Sequence, residues 1–576
     1  MAFSKISNPA LGYWPPVVFA IVSLAILWPA FSSPNTFFGS PGDPYGVISG
    51  ISLFQKYSAE LYYSDPTSEV YRTAGYPFEN YGLLSWGKRA DPVFRALVLL
   101  PFPAHVVYNL AILLAFFFSA TGAYLLALYL TRNGPASFLA GLAYGFSPYV
   151  LGHSLQHLGL VQVMFFPLVL LFGLKVLDGS KNKFDLPLFG MFVFLSLSSD
   201  PYHVPMTLLL LACLLVPKAL EVFNAKKIIL NPELLRFFAA AFVAGFVFFL
   251  LNFQVIFPSF LSDQSENAVR HIGDMGAYPA NVQDYLIPYP GNRFFSGFGS
   301  FLANLAAQNV GKSNPIEKSI FLGFTVLALG TIGVFSLWKG SRLFSGVGLV
   351  FVSIFAIAFV LGLGSYWKLQ IFSNTAIIPL PGALLFFPFN FFRVSSRFGI
   401  LVMLVLSVFL AFGAKFVVER LKSAVSKSVF VAFSFSLIVL EFGIFSVPQY
   451  TTVGEPAPQY GLLESLPDGA VIFYPLIIWP PEQNYELAFW QRVYQKPLVN
   501  SHPGHKRWEK FAESVQNISS PTTPRTLAYY NVSYAVIRAG DPAFTQTVVE
   551  GLQELGSFPD ARVFKVVAKP MAGWRP

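Results

Sequence analysis

Residues 398–418 read FGILVMLVLSVFLAFGAKFVV, an apolar run interrupted by a single charge at Lys415. A helix of about 20 predominantly apolar residues is long enough to cross the hydrocarbon core of a bilayer. One such run could be a core helix of a soluble protein, but similar runs recur along the chain and the charges lie between them. The pattern predicts a polytopic α-helical membrane protein.

The composition of the chain favours the same fold class. Its 576 residues are 54% hydrophobic and 12% charged, whereas a soluble domain carries about 25% charged residues. The apolar blocks predict about eleven spanning helices, at 13–32, 105–130, 136–150, 160–177, 186–199, 204–219, 237–257, 319–337, 344–363, 398–418 and 429–447.

The loops between the blocks carry an asymmetric charge. With the N-terminus in the cytoplasm, every inside loop is short and basic, as the positive-inside rule requires. These loops account for much of the formal charge of +9, and no basic cluster interleaved with aromatic residues indicates nucleic-acid binding. We therefore expect a multi-pass protein of the cytoplasmic (inner) membrane, with a cytoplasmic N-terminus and a periplasmic or extracellular C-terminus.

The outer segments are long and define the predicted domains. Residues 448–576 are too long for a loop and have the polar composition of an extracytoplasmic α/β domain, with strand-like runs bounded by turn signals. Residues 1–447 form the predicted transmembrane domain. Its outer loops cover 33–104, 258–318 and 364–397.

Two aspartates, Asp43 and Asp200, each begin an Asp-Pro-Tyr tripeptide at the outer end of a predicted helix. Such a carboxylate would lie at the outer membrane face, where lipid-linked phosphate donors present their head groups. There it could act as a general base or hold a divalent cation. The alternative is local turn or helix-cap chemistry, since Asp-Pro favours turns.

Basic and histidine pairs also lie on the outer side. Arg393 and Arg397 are four residues apart, and guanidinium groups suit phosphate oxygens. The alternative for these arginines is interfacial snorkelling or pairing with an outer carboxylate such as Glu317. His153 and His157, also four apart, could ligate a metal or belong to an amphipathic turn.

Five short motifs spread over most of the chain suggest a family. They are Gly-Asp-Pro at 42–44, AGLAYGFSPY at 140–149 followed by His157, YLIP at 285–288 with Glu317 downstream, FRVSSRF at 392–398 and KPLVN at 496–500. Together they resemble the GT-C superfamily of membrane glycosyltransferases, in particular bacterial multi-pass members with a periplasmic C-terminal domain.

The resemblance implies transfer of a sugar from a polyprenyl-phosphate donor to a hydroxyl of a glycan, lipid or protein acceptor. The transmembrane domain would be surrounded by membrane lipids. A single displacement at the outer membrane face would invert the anomeric carbon. Asp43 is the implied catalytic base, and Asp200 the assisting acid. The resemblance leaves open a divalent cation, Mg²⁺ or Mn²⁺, with candidate ligands Asp43, Asp200, His157 and Glu317.

Two other function classes stay open, a lipid or glycan transporter and a non-catalytic accessory or scaffold subunit whose outer domain binds a partner. Transporters usually bind near the bilayer midplane and often contain inverted repeats. The predicted helix centres hold few ionisable groups, Glu441 being an exception, and no internal repeat is evident. A catalytic site further requires that Asp43, Asp200 and the two arginines converge on one cavity.

Overall fold

The protein is described by a computed structural model with a mostly helical architecture. The structure describes residues 14–56, 76–77, 92–225, 231–261, 278–288, 292–295, 297, 316–371, 374–385, 394–478, 484–500, 506–546 and 550–570.

A helix lies at each of the eleven positions that the apolar blocks predict. Short helices in the connecting segments bring the number before residue 447 to fifteen among the described residues. In chain order these are α1 (Trp14–Ser32), α2 (Asp43–Lys56), α3 (Pro92–Val98), α4 (Ala104–Thr131), α5 (Gly134–Gly145), α6 (Pro148–Ser154), α7 (Leu158–Val161), α8 (Phe165–Leu177), α9 (Asp185–Ser199), α10 (His203–Ala225), α11 (Pro232–Leu261), α12 (Phe324–Lys339), α13 (Gly346–Gly362), α14 (Gly399–Val418) and α15 (Ala424–Phe442).

Seven helical stretches in the described part of the chain are long and apolar enough to cross a membrane. Three further apolar helices, α9, α12 and α13, are shorter than these. The chain is therefore a helical membrane protein, while the count of eleven spans and the orientation stay predictions. The seven stretches are Trp14–Ser32, Ala104–Thr131, Leu158–Leu177, His203–Phe223, Pro232–Asn252, Ser395–Val418 and Ala424–Phe442.

Helices α12 and α14 approach so closely that their backbones touch at a pair of glycines. A Cβ atom added at Gly413 would collide with the carbonyl oxygen of Leu329, and one added at Gly333 would collide with that of Phe409. Helix association in a bilayer depends on this kind of close packing between small residues, because lipid supplies no hydrophobic driving force. The two glycines therefore set the distance between the helices.

The C-terminal part of the chain contains an α/β unit. Its sheet has the strand order β5-β6-β8-β7, with β5 and β6 parallel and the other neighbours antiparallel. The limits 1–447 and 448–576, and the location of this unit outside the membrane, stay predictions. The sheet and its helices are β5 (Ala470–Tyr474), β6 (Val532–Arg538), β7 (Leu552–Ser557), β8 (Ala561–Val566), α16 (Pro458–Ser465), α17 (Tyr485–Tyr494), α18 (Lys506–Val515) and α19 (Thr523–Tyr529).

This C-terminal unit is joined to the first connecting segment. Strand β1 (Thr36–Phe38) pairs antiparallel with β4 (Tyr450–Thr452). A second hairpin, β2 (Tyr366–Ile371) with β3 (Asn374–Pro379), follows α13. Helix α17 packs against α2, and its buried side chains belong to the same hydrophobic core as the transmembrane helices. The C-terminal unit thus lies against the helix that begins at Asp43.

We predict that Gly413→Ala lowers the free energy of unfolding by about 1–3 kcal/mol, because the added methyl group must push α12 and α14 apart. Thermal unfolding of the purified protein in detergent measures the effect. Gly245→Ala in α11 is the matched control, since no other part of the described chain comes within 4 Å of a Cβ atom at that position. Equal midpoints for the two variants would contradict the close approach.

Candidate functional site

Asp43 is the first residue of α2 and is partly open to solvent. Its side chain is 38% exposed, and its place in the first helical turn suits a negative charge because the helix dipole is positive there. Oδ2 of Asp43 lies 2.9 Å from Nδ1 of His157. The carboxylate is therefore held on one side by a histidine 114 residues away.

His157 stands between two carboxylates. Its Nε2 atom lies 3.4 Å from Oε1 of Glu317, opposite the contact with Asp43. His153 lies one turn earlier and places its Nε2 atom 3.3 Å from Oε2 of the same glutamate. The four-residue spacing of the histidines therefore directs both rings at Glu317, which precedes α12 by a few residues.

Arg397 completes the cluster from a 3₁₀ turn at the start of α14. Its Nε atom donates to Oε2 of Glu317 at 3.1 Å, and Nη2 donates to Oε1. The guanidinium also lies over the ring of Tyr202, 4.1 Å from its centroid. The exposed fractions of Arg397 and Glu317 are 6% and 4%. The structure thus contains the arginine–carboxylate pairing that the sequence left as an alternative to phosphate binding.

The contacts fix the protonation of the cluster. Burial alone would raise the pKa of Glu317, but the contacts with His153 and His157 and the charge of Arg397 outweigh burial and hold it well below its usual range. Burial likewise opposes the charged form of His157, yet Asp43 and Glu317 raise its pKa to about 9. Asp43, His157, Glu317 and Arg397 therefore form a chain of alternating negative and positive charges, which we call the ionic chain.

Asp200 lies beside the ionic chain without joining it. Its Oδ1 atom accepts a hydrogen bond from the backbone N–H of Tyr202 at 2.9 Å, so the carboxylate makes the local turn that Asp-Pro sequences favour. The same carboxylate packs against Gly159, where an added Cβ atom would collide with Oδ2. Asp200 is therefore linked to Arg397 through Tyr202, whose ring the guanidinium covers, and to the segment of His157 through Gly159. Its assisting role stays a prediction.

The remaining predicted site residues have different outcomes. Arg393 lies outside the described residues. Arg397 already uses Nε and Nη2 on Glu317, so its phosphate-binding role stays a prediction. Tyr202 did not stand out in the sequence, although it follows Asp200 in the Asp-Pro-Tyr tripeptide.

The arrangement does not fit a metal site. Within the described ranges, no group of three His, Cys, Asp or Glu side chains is placed to hold a metal ion. Both ring nitrogens of His157 face carboxylate oxygens, so this ring bridges two acids instead of offering a lone pair to a cation. The divalent cation stays a prediction, and the proposed reaction is written without a metal ion.

We predict that Glu317→Gln lowers the free energy of unfolding by about 3–5 kcal/mol, because it leaves the buried guanidinium of Arg397 without a counter-charge. Thermal unfolding in detergent measures the change. Glu419→Gln is the control, since Glu419 is 57% exposed in its ion pair with Lys415 and such pairs contribute about 0–1 kcal/mol. Equal losses in the two variants would show that the buried pair does not organise the site.

We also predict a pH dependence that belongs to His157. Because the pKa of His157 rises from 6.5 to about 9 in the folded protein, its contribution to stability is complete below pH 6.5 and is lost as the pH rises through about 9. The wild-type unfolding midpoint should fall over that window, and His157→Gln should remove this part of the fall. An identical pH profile in both proteins would contradict the assignment.

Comparison with known proteins places the chain in a family. A sequence profile described as "Domain of unknown function (DUF6311)" matches residues 93–442. No sequence among the curated proteins matches significantly.

Among solved structures, the arabinofuranosyltransferase AftD from Mycobacteria has a TM-score of 0.55 at 15% identity, covering 99% of this chain and 41% of AftD. A mutant of AftD gives 0.57, again at 15% identity, over 99% and 42%. ArnT from Cupriavidus metallidurans, bound to undecaprenyl phosphate, has a TM-score of 0.46 at 12% identity, covering 96% of this chain and 98% of ArnT. This TM-score is too low to establish a shared fold.

The chain spans about two fifths of AftD, and the likeness to AftD concerns the fold. The alignment covers nearly all of this chain, so it includes the transmembrane helices and the α/β unit together. The protein therefore has the fold of the GT-C glycosyltransferases and, by the match over 93–442, belongs to the DUF6311 family.

Proposed function

We propose that the protein is a membrane glycosyltransferase that moves a sugar from a polyprenyl-phosphate donor to an acceptor hydroxyl at the outer face of the cytoplasmic membrane. One observation carries the proposal. Asp43 presents a 38% exposed carboxylate at one end of the ionic chain, whose other end, Glu317 and Arg397, is buried, within a fold shared with an arabinofuranosyltransferase.

In the proposed reaction Asp43 accepts the proton of the acceptor hydroxyl. The acceptor oxygen then bonds to the anomeric carbon as the bond from that carbon to the phosphate oxygen breaks. The electron pair of the broken bond leaves with polyprenyl phosphate. Attack opposite the leaving group inverts the anomeric configuration.

His157 supports Asp43 by holding its side chain in place. Nδ1 of the ring lies 2.9 Å from Oδ2 of the carboxylate. The hydrogen bond fixes the rotation of the side chain, so Oδ1 is the oxygen left for the acceptor. A carboxylate fixed in this way does not have to reorganise at the moment of reaction.

Basic residues before α14 would bind the phosphate of the donor, and we assign this role to Arg393 and Arg397. Because Nε and Nη2 of Arg397 already donate to Glu317, Nη1 and the second hydrogen of Nη2 would make the contact with the phosphate. Asp200 would assist by holding the turn whose Tyr202 stacks on Arg397. The acceptor class, whether glycan, lipid or protein, stays open.

The transporter alternative receives less support from the structure. Glu441, the ionisable residue that drew attention within a predicted span, accepts hydrogen bonds from the backbone N–H and the hydroxyl of Thr325 at the start of α12. It is therefore a helix cap rather than a free group at the bilayer midplane. A non-catalytic subunit would have the same fold, and only an activity measurement separates it from an enzyme.

We predict that Asp43→Asn lowers kcat by about 10²–10⁴-fold, the usual contribution of a general base. The full chain is reconstituted in lipid nanodiscs and incubated with a donor, either polyprenyl-phosphate arabinofuranose or a polyprenyl-phosphate hexose, and with cell-envelope glycans as acceptors. The release of polyprenyl phosphate measures the turnover. Asp178→Asn is the control, since the exposed Asp178 binds Tyr129 at the far end of α8. Undiminished turnover in Asp43→Asn would remove the assigned role, and no turnover of any donor by the wild type would favour the accessory subunit.

A further inference from the structure

The first turn of α2 is held from two opposite sides. Residues two positions apart on a helix do not share a face, so Asp43 and Tyr45 point in different directions. Asp43 contacts His157. The ring of Tyr45 packs against Phe489 of α17, with 4.8 Å between the ring centroids. One face of the turn therefore meets the ionic chain, and the other meets the C-terminal unit.

Phe489 belongs to an aromatic group that joins three parts of the fold. Its ring lies 6.4 Å from that of Phe37 in β1, which contacts Tyr45 at 5.4 Å and Tyr108 of α4 at 6.1 Å. The guanidinium of Arg492 covers the Phe489 ring at 4.2 Å. Phe489 is only 1% exposed, so this group is a packed core and not a surface contact.

The other end of α2 is anchored separately. The Nε2 atom of Gln55 donates to the carbonyl oxygens of Leu100 and Phe102, at 3.3 and 2.9 Å. Loss of the Phe489 contact would therefore loosen the N-terminal turn of α2 on its Tyr45 side, while the C-terminal end stays in place. That turn is the one that carries Asp43.

We infer that Phe489 is a positioning residue for Asp43, which makes the C-terminal unit part of the scaffold of the transfer site. The catalytic consequence rests on the proposed function, whereas the structural consequence for α2 does not. Phe489 acts through Tyr45 and touches neither donor nor acceptor. A shift of about 1 Å in a reacting group can reduce the rate about 10²-fold, so a small movement of this turn is enough.

The experiment compares Phe489→Leu with Phe511→Leu in the full chain. Phe511 is a matched control because it is 3% exposed, lies on α18 of the same unit and belongs to a separate core. Hydrogen–deuterium exchange of the peptide covering 43–56 reports on α2 directly. Steady-state transfer from the polyprenyl-phosphate donors gives kcat and KM. Phe489→Met, whose flexible unbranched side chain adapts more easily to an irregular space in the core, replaces Phe489→Leu if that variant does not fold.

We expect faster exchange over 43–56 in Phe489→Leu only, with kcat reduced toward 10²-fold and KM changed much less. In Phe511→Leu, exchange over 43–56 and kcat should equal those of the wild type even if its unfolding midpoint falls. Wild-type exchange over 43–56 in Phe489→Leu would overturn the inference, as would equal effects in both variants. If the wild type transfers no sugar, the proposed function fails, and the exchange data still decide whether Phe489 holds α2.

Discussion

The buried ion pair between Arg397 and Glu317 is the interaction on which the site depends. Removing two charges from water is costly, and the cost is recovered only when hydrogen bonds satisfy both partners. Glu317 meets this requirement with bonds from Arg397 and contacts with His153 and His157. Because these groups come from the segments before α12, around α6 and α7, and before α14, one glutamate fixes three parts of the chain relative to each other.

His157 connects this ion pair to the partly exposed carboxylate of Asp43. A buried anion on one side and a half-exposed anion on the other hold the imidazole in its charged form. The positive ring in turn holds Asp43 at the start of α2. The ionic chain therefore connects the buried interior of the helical domain to one partly exposed carboxylate, that of Asp43. In the proposed reaction these polar groups are already oriented before a substrate binds.

The sequence predicted the helices well because the signal is local. The predicted block at 398–418 corresponds to α14 at Gly399–Val418, and the block at 13–32 corresponds to α1 at Trp14–Ser32. The sequence does not locate helix α2 within the predicted outer loop 33–104, since two glycines, Gly46 and Gly50, and several polar residues weaken its apolar pattern. Blocks of apolar residues therefore reveal spans but not the short amphipathic helices between them.

The site could be predicted only in part. The local context marked Asp43, and spacing marked the two histidines. The pairing of Asp43 with His157 was hidden, because the two residues are 114 positions apart in the sequence. The pairing of Arg397 with Glu317 was one of the alternatives that the sequence left open, and the structure contains it. The contact of Tyr45 with Phe489 joins residues from opposite ends of the chain, and no local pattern signals it.

In the proposed function, the exposed end of the ionic chain binds a polyprenyl-phosphate donor. The most direct test is a cryo-EM structure of the protein in nanodiscs with a polyprenyl-phosphate sugar bound to the Asp43→Asn variant. The account predicts that the anomeric carbon lies beside residue 43, with the phosphate toward the basic segment that contains Arg397. A donor head group bound away from residue 43, or no bound donor at saturating concentration, would contradict it.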